Sequence, residues 1–466
     1  MYFDGIDHIS GGTVSRSMRN VGVALIVGLV MAACGNSSDD ASPASTAASD
    51  PGAGGANGDR NEFVSISGVP GVSDDEIAYA VVGTKSNNPL GSCILDCYAA
   101  GVEAYFAYQN SLGGIYGRDL VVRDVLDDEL GQNQVRSLEV IAAEKDFGVF
   151  QATLVASGWG ALDDAGVPTY TWGINATEAA NRTHIWPSLP VRCQDCPTRS
   201  VPYAAKLAGA RHAASLGYGV SENSKVCAQT VAKAIEQYEP DTGVDIVYTN
   251  DDLAFGLPNG IAPEVTAMKK AGVDFISTCI DLNGMKSLAQ ELARQGMDDV
   301  VLYHPNSYSE SFVAEAGDLF EGDYVTVQFR PFESDPGDSS LTEFLTWMKK
   351  QGDEPSELAM VGWINATQAV DGLLAAGPNF DRQKVTDATN AMTDFDAGGL
   401  LMPVDWTVGH VPYTNATRST NDADECTVLV KVVDGAFETV GPVAEPWLCW
   451  SGSDLAWSEP KPVAFG

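Results

Sequence analysis

The chain has 466 residues, of which 44% are hydrophobic, and a formal net charge of −36. This length is too great for one ordinary core and indicates about two to three structural units. Phosphate backbones and anionic lipid headgroups repel such a polyanion, which argues against nucleic acid as a partner. Any attachment to a membrane then needs a covalent or inserted anchor.

The N-terminal region predicts a secretory signal. A short basic start at Met18 precedes an apolar run from Val21 to Met31 and two small residues before Cys34. The run is shorter than the roughly 20 residues that span a bilayer, and its length is typical of a signal peptide. A cysteine after a small pair is typical of a bacterial lipobox, in which it becomes the first mature residue and carries lipid. We interpret residues 1–34 as a lipoprotein signal peptide with its true start at Met18; a plain cleaved signal or a short signal anchor is the alternative.

Residues 35–72 are predicted to be a disordered tether. The segment is rich in Gly, Ser, Ala, Asp and Pro, and it contains little that could form a core. A flexible chain of this composition suits a connection between a lipid and a folded body. No later stretch of the sequence is long and apolar enough to cross a membrane.

From Glu76 onward, short β-branched runs alternate with amphipathic helical patterns. In the first part, strands are predicted over 77–82, 120–122, 147–150 and 167–172, and helices over 96–109, 133–145 and 161–165. The stretch 182–202 contains four prolines and is interpreted as a crossing between lobes. The alternation then resumes, with strands over 211–216, 244–248, 275–280, 300–303 and 324–327 and helices over 221–238, 261–271 and 285–295. Ser221 is the expected N-cap of the first of these helices.

The last part of the chain combines helices and a β-rich meander. Helices are predicted over 341–350, 357–376 and 385–392, and the clearest late strand covers 426–432. Strands that alternate with helices indicate α/β architecture with parallel sheets covered on both faces. We therefore predict two Rossmann-like lobes around a hinge cleft, the first formed by 73–200 and 335–405 and the second by 201–334 and 406–466. Ligands bind such sheets beyond the carboxyl ends of the strands, so two facing sheets predict a binding cleft.

No motif indicates catalysis. The chain has 5 His and lacks H-E-x-x-H, a Walker A loop and G-x-S-x-G. We predict that the protein is not an enzyme and that it has no cofactor and no metal. The run from Asp127 to Glu129 could hold a cation, or it could be a solvated strand end.

Eight cysteines follow Cys34, and an even number favours disulfides in an exported protein. Cys193 and Cys196 form a C-x-x-C beside prolines, and Cys93 and Cys97 are close enough for a local bridge. A zinc site made of these two pairs is the alternative. Cys227 and Cys279 fall near the predicted cleft edge and could be bonded to each other, which leaves Cys426 with Cys449. Eight cysteines allow about 105 pairings, so this assignment is a hypothesis.

The folded part resembles the type I periplasmic binding proteins, in the branch of leucine/isoleucine/valine- and amide-binding components of ABC transporters. The similarity runs from about Glu76 to the end of the chain. The segments that carry it are Glu264 to Phe275, Arg294 to Met297, Leu319 to Gly322, Gly398 to Leu400, Asp405-Trp406 and His410. The order of these segments along the chain makes the match more specific than any one of them.

The resemblance implies three crossings between the lobes and capture of a ligand by closure. It also implies that hydroxyl groups and backbone amides of the first lobe hold an amino acid's carboxylate. The matching positions here are Ala152, Thr153, Thr171, Trp172, Gly173 and Asn175. In the second lobe, Asp281 and Asn306 stand where the family has an aromatic residue and a Glu that close over the ligand. Asp281 could take over the ammonium, since a charge-assisted hydrogen bond is roughly twice as strong as a neutral one.

Three further second-lobe assignments complete the predicted site. Asn306 could recognise an amide or a hydroxyl, and Tyr218 and Tyr308 could pack over the ligand. Each of these positions could instead be a capped strand end. These replacements leave the identity of the ligand open.

The resemblance implies the substrate-binding lipoprotein of an ABC importer, outside the cytoplasm and held at the cell membrane by lipid alone. Its ligand would be a branched-chain amino acid, an amide or a related small polar solute, and its partners the permease and ATPase subunits. A receptor of the same fold that senses a ligand for a signalling partner is the alternative, and an extracytoplasmic enzyme is a third class. A lipid anchor without a transmembrane output segment argues against the sensor.

Overall fold

The structure, a computed structural model, describes residues 60–191, 193, 196–305, 307–335, 337, 339–412, 424–451 and 455–465. The predicted signal peptide, Cys34 and Asn306 lie outside them. Within the described part, no helix is both long enough and apolar enough to cross a membrane.

The first lobe is built on a five-stranded parallel sheet of order β2-β1-β3-β4-β5. Its elements are β1 (Glu76–Gly83), α1 (Leu95–Ser111), β2 (Asp119–Asp127), α2 (Asn133–Ala143), β3 (Gly148–Ala152), α3 (Trp159–Asp164), β4 (Thr169–Thr171), α4 (Ala176–Ala179) and β5 (Ile185–Pro187). The central strands β1 and β3 are almost entirely buried. Continuous apolar strands of this kind require helices on both faces.

The second lobe is built on a nine-stranded sheet whose first five strands are parallel. Its elements are α5 (Ser200–Leu207), β6 (His212–Tyr218), α6 (Glu222–Thr242), β7 (Asp245–Leu253), α7 (Ala262–Ala271), β8 (Phe275–Cys279), α8 (Leu282–Arg294), β9 (Val301–Pro305), α9 (Glu310–Ala316), a 3₁₀ turn (Gly317–Phe320) and β10 (Tyr324–Val327). Ser221 caps α6 by accepting a hydrogen bond from the backbone N–H of Ser224, as predicted, and Gly243 ends it at φ 71°.

The chain then returns to the first lobe before it completes the second sheet. The returning helices are α10 (Ser340–Gln351), α11 (Glu357–Ala376) and α12 (Arg382–Thr389). Helix α11 packs closely on α1. A side chain at Gly101 would collide with the backbone of Ala359, and the hydroxyl of Tyr98 donates a hydrogen bond to the side chain of Asn365 at 2.7 Å. The last strands, β11 (Asp424–Val433), β12 (Ala436–Thr439), β13 (Trp447–Ser451) and β14 (Lys461–Val463), are antiparallel and extend the second sheet.

The prediction of two α/β lobes with parallel sheets is confirmed. The order of the elements takes the chain from one lobe to the other three times, because α10–α12 return to the first lobe between β10 and β11. One strand was missed, because the proline-rich stretch 182–202, interpreted as a crossing only, contains β5. This strand lies at the edge of the first sheet, where Pro187 at its end removes no essential ladder hydrogen bond.

Two boundaries differ from the prediction. Residues 60–72, assigned to the tether, contact the first lobe: the Arg118 guanidinium donates to the carbonyl of Val64 at 2.6 Å and lies 4.7 Å from the Phe63 ring. Residues 406–412, assigned to the second lobe, also belong to the first. Trp406 in this segment is buried, and the backbone N–H of Asn181 in the first lobe donates to the carbonyl of His410 at 2.7 Å.

Candidate functional site

A cavity of about 1560 Å³ lies between the two lobes. In the first lobe its walls are the loops after β1, β3 and β4 together with the start of α11. In the second lobe they are the loops after β6, β8 and β9. These loops all follow the carboxyl ends of parallel strands, which is where open α/β sheets bind ligands. The cavity is therefore the candidate ligand site.

The lobes contact each other beside this cavity. The side-chain amide of Asn223, in the first turn of α6, donates to the carbonyl of Ile174 in the first lobe at 3.1 Å. A side chain at Gly91, which has φ +73°, would collide with the amide of Asn283 in the second lobe. Together these contacts hold the walls of the cavity against one another.

Four of the predicted site residues line the cavity: Trp172, Tyr218, Asp281 and Tyr308. Trp172 follows β4 and is only 4% exposed, and its indole N–H has no hydrogen-bond partner among the described residues. The indole nitrogen itself has almost no accessible surface, so this donor lies within the cavity wall. A buried donor without a partner is uncommon in proteins.

The other first-lobe positions are not among the lining residues; these are Ala152, Thr153, Thr171, Gly173 and Asn175. The hydroxyl of Thr153 donates to the carboxylate of Asp128, and its carbonyl accepts from the Asn175 side chain at 2.9 Å. The carbonyl of Ala152 accepts from the backbone N–H of Thr84 at 3.0 Å. These groups bind the strand ends to one another behind the cavity wall.

Asp128 is the centre of this buried arrangement. Its side chain has no exposed surface, and it accepts hydrogen bonds from the hydroxyl of Thr84 at 2.8 Å and the backbone N–H of Leu130 at 3.0 Å. Its neighbour Asp127 accepts hydrogen bonds from backbone N–H groups of the loop after β1. Burial alone would raise the pKa of Asp127. Hydrogen bonds from Ser86 and nearby backbone groups outweigh burial and lower the pKa to about 2. Through these hydrogen bonds, Asp127 and Asp128 connect the loop after β1 to the end of β2. The described part of the chain contains no cluster of His, Cys, Asp or Glu that could hold a metal ion.

Asp281 and Tyr218 form a pair in the second-lobe wall. Asp281 is the N-cap of α8, and one carboxylate oxygen accepts the backbone N–H groups of Asn283 at 3.1 Å and Gly284 at 3.3 Å. The other oxygen accepts the hydroxyl of Tyr218. Burial, and then the nearby Asp281 carboxylate, raise the pKa of Tyr218 well above its usual value, so the hydroxyl stays protonated. A carboxylate has lone pairs beyond these bonds, so Asp281 can still accept from a ligand.

Tyr308 connects the second-lobe wall to the first lobe. Its hydroxyl donates to Glu333 at 2.5 Å, and burial followed by this carboxylate raises its pKa strongly. Its ring lies 5.0 Å from that of Phe332, which also lines the cavity. Its backbone lies near the carboxylate of Glu357, which is at the start of α11 in the first lobe.

Glu357 was not predicted from the sequence. Burial raises the pKa of its carboxyl from 4.5 to about 7, although the hydrogen bond from Tyr308 opposes the change. It follows Ser356, the N-cap of α11, and nothing in that local pattern indicates a cavity. Phe255 was also missed; it comes shortly after β7, so the strand-end rule could have found it.

Four disulfides are present, joining Cys93 to Cys97, Cys193 to Cys196, Cys227 to Cys279 and Cys426 to Cys449. The first and third pairs line the cavity, one from each lobe. The third ties α6 to the end of β8, and the fourth joins directly opposed residues of β11 and β13. Crosslinks at these places fix the loops that form the walls.

Comparison with known proteins identifies the family of the chain. The family model described as "Periplasmic binding protein" matches residues 91–436, so the chain belongs to the periplasmic binding protein family. The predicted resemblance to its type I members is confirmed by solved structures, many of which are branched-chain amino acid binding proteins of ABC transporters. Curated proteins gave no match to this sequence.

The similar solved structures share the fold at low sequence identity. A branched-chain amino acid ABC transporter protein from Thermus thermophilus with bound valine is 15% identical, with a TM-score of 0.62 over 83% of this chain and 97% of the other. A branched-chain amino acid binding protein from Streptococcus pneumoniae in complex with isoleucine is 16% identical (TM-score 0.60; 78% of this chain and 99% of the other). A fatty acid ABC transporter substrate-binding protein from Thermomonospora curvata is 17% identical (TM-score 0.58; 80% and 93%).

Proposed function

We propose that this protein is the substrate-binding component of an ABC importer and that it captures a small solute between its lobes outside the cytoplasm. The observation that carries the proposal is the cavity of about 1560 Å³ whose two walls come from different lobes and touch beside it. A ligand that contacts both walls stabilises the closed form by its differential affinity for that form. A permease that recognises only closed lobes would then accept only loaded protein.

Branched-chain amino acids, amides and related small polar solutes are the first candidates for the ligand. Structures of similar fold are named for valine, isoleucine and fatty acid, which supports a metabolite with an apolar body. Trp172, Tyr218, Asp281 and Tyr308 would contact it directly. Ala152, Thr153, Thr171, Gly173 and Asn175 would shape the wall behind, and Asn306 remains a candidate that comes directly after β9 in the sequence.

The protein would stay at the membrane through lipid on Cys34 and a tether that ends near residue 60. The partners implied by this role are the permease and ATPase subunits of the importer. The first lobe would comprise 60–200 and 335–412, and the second 201–334 with the C-terminal strands, so that the lobes hinge about the segments between them.

A thermal-shift panel of branched-chain amino acids, amides, short acids and aromatic amines tests the proposal. A solute that binds only the folded protein raises the melting temperature by an amount that grows with the logarithm of its concentration over Kd. Trp172→Ala should abolish that rise, whereas Trp347→Ala, which removes a half-buried tryptophan of α10 outside the cavity lining, should keep it. Absence of any rise across the panel, or equal loss in both variants, would contradict the proposal.

A further inference from the structure

The charged residues that line the cavity are all acidic. Seven carboxylates contribute, and none of the described lining residues is Lys, Arg or His. They are Asp96, Asp281, Glu310, Glu315, Asp353, Glu354 and Glu357. Both lobes supply them, so closing the lobes brings like charges together unless something positive lies between them.

Most of these carboxylates lack a cationic partner. Asp96 pairs with Lys85 at 2.8 Å, and Asp281 is satisfied by Tyr218 and the N-terminus of α8. The other five form no ion pair with any described residue. Four of these are exposed, while Glu357 is half-buried. The raised pKa of Glu357 reflects burial without a compensating positive charge.

The rest of the wall is largely apolar and aromatic. Six rings line the cavity: Trp172, Tyr218, Phe255, Tyr308, Phe312 and Phe332. Aromatic faces attract cations within about 6 Å of the ring centre. The cavity of about 1560 Å³ exceeds the roughly 300–1,000 Å³ of ordinary small-molecule sites. The cavity therefore has room for an apolar body larger than the side chain of an amino acid.

Three hydroxyl groups at or near the cavity wall are already engaged within the protein. The hydroxyl of Thr153, predicted to hold such a group, is committed to Asp128, a buried carboxylate that would repel a second one. The hydroxyl of Ser224 donates to the carbonyl of Cys279, and Ser221 caps α6. An anion would also meet the five unpaired carboxylates described above.

We propose that the cavity takes an organic cation, an amine or quaternary ammonium joined to a bulky apolar body and carrying no carboxylate. The proposal rests on the proposed function and favours an organic cation over the amino acids and amides named there. The ammonium lies beside Glu357 among the aromatic rings, and the apolar body fills the remaining volume. The exposed carboxylates at the mouth raise the local concentration of cations and speed their entry.

Isothermal titration of the mature chain with three matched probes tests this inference. Phenylbutylamine, phenylbutanol and phenylbutyrate share one apolar body and differ in charge. The amine should bind at least about tenfold more tightly than the alcohol, because hydrogen bonds to charged groups add about 1.5–3 kcal/mol. The butyrate should show no measurable heat of binding, and added salt should weaken the amine alone.

Glu357→Gln should weaken the amine by about tenfold and change the alcohol by less than about twofold. Glu236→Gln, which removes an exposed carboxylate of α6 outside the cavity, is the matched control and should change neither. Tighter binding of the butyrate or of a branched-chain amino acid than of the amine would overturn the inference and leave the proposed function standing. If the amine fails to bind while a neutral solute raises the melting temperature, the inference about a cation is overturned and the proposed function still stands. Failure of every probe and every solute would overturn both.

Discussion

Asn223 on α6 donates its side-chain amide to the carbonyl of Ile174 at 3.1 Å, across the boundary between the lobes. Close by, Gly91 of the first lobe lies so near Asn283 of the second that it has no room for a side chain. These two contacts define where the lobes meet when the cavity is closed.

Gly91→Leu is therefore expected to hold the lobes apart. The new side chain would collide with Asn283, so small-angle scattering should give a larger radius of gyration than for the unchanged protein in the presence of a ligand. Gly209→Leu is the matched control, because Gly209 has the same left-handed backbone (φ +72°) with nothing within 4 Å. An identical radius for the two variants would show that the lobes do not close at Gly91.

Glu357→Gln should stabilise the free protein at high pH. The folded-state pKa is raised from 4.5 to about 7, so the folded protein holds an extra proton between these values and loses stability as the pH rises through them. The variant cannot ionise, and it should exceed the unchanged protein by about 1–3 kcal/mol at about pH 8, with the gain shrinking towards about pH 5. Urea denaturation at several pH values measures this, with Glu236→Gln as the control; a gain independent of pH would contradict it.

The two cavity disulfides should differ in their effect on stability. Cys227–Cys279 closes a loop with a sequence separation of 52, whereas Cys93–Cys97 has a separation of 4. Loop-closure entropy predicts losses of about 4 and about 2 kcal/mol respectively when each pair is replaced by alanines. Denaturant titration of the two double variants measures the ratio. Equal losses would mean that packing rather than loop closure determines the contribution.

Arg199 and Glu425 form a buried ion pair that joins the start of α5 to β11, with Nε–Oε2 at 3.1 Å and both side chains almost fully buried. Glu425→Gln should destabilise the protein by about 3–5 kcal/mol, because it removes the negative charge that Glu425 places against the buried guanidinium. Lys206–Glu459 is an exposed pair on the same lobe, and Glu459→Gln should cost at most about 1 kcal/mol. Similar losses in the two variants would contradict this difference.

Much of the fold was predictable because buried parallel strands and capped helices leave local patterns in the sequence. Four cavity residues were found by one rule, since Trp172, Tyr218, Asp281 and Tyr308 all lie at or just after strand ends. The same rule selected Thr153, but its hydroxyl is turned to Asp128 behind the wall. The spacing of residues indicates which loop lies at the cleft and not which side chain faces it.

Glu357 shows why the rest could not be predicted. It lies in the first turn of a long, mostly buried helix, and the sequence around it is that of any capped helix start. Only the return of the chain to the first lobe places it opposite Tyr308. Likewise β5 was hidden, because three residues ending in proline resemble a turn when their parallel neighbour is not known.

Strand β11 lies inside the second sheet, between β10 and β13, although three helices of the other lobe separate it from β10 along the chain. A polypeptide that emerges N-terminus first thus leaves β10 as an open edge until almost all of it has been released. Products truncated near the C-terminus would display this edge permanently, and exposed edges recruit other chains or quality-control factors. The edge of the second sheet at β10 is therefore covered only when synthesis of the chain is nearly complete.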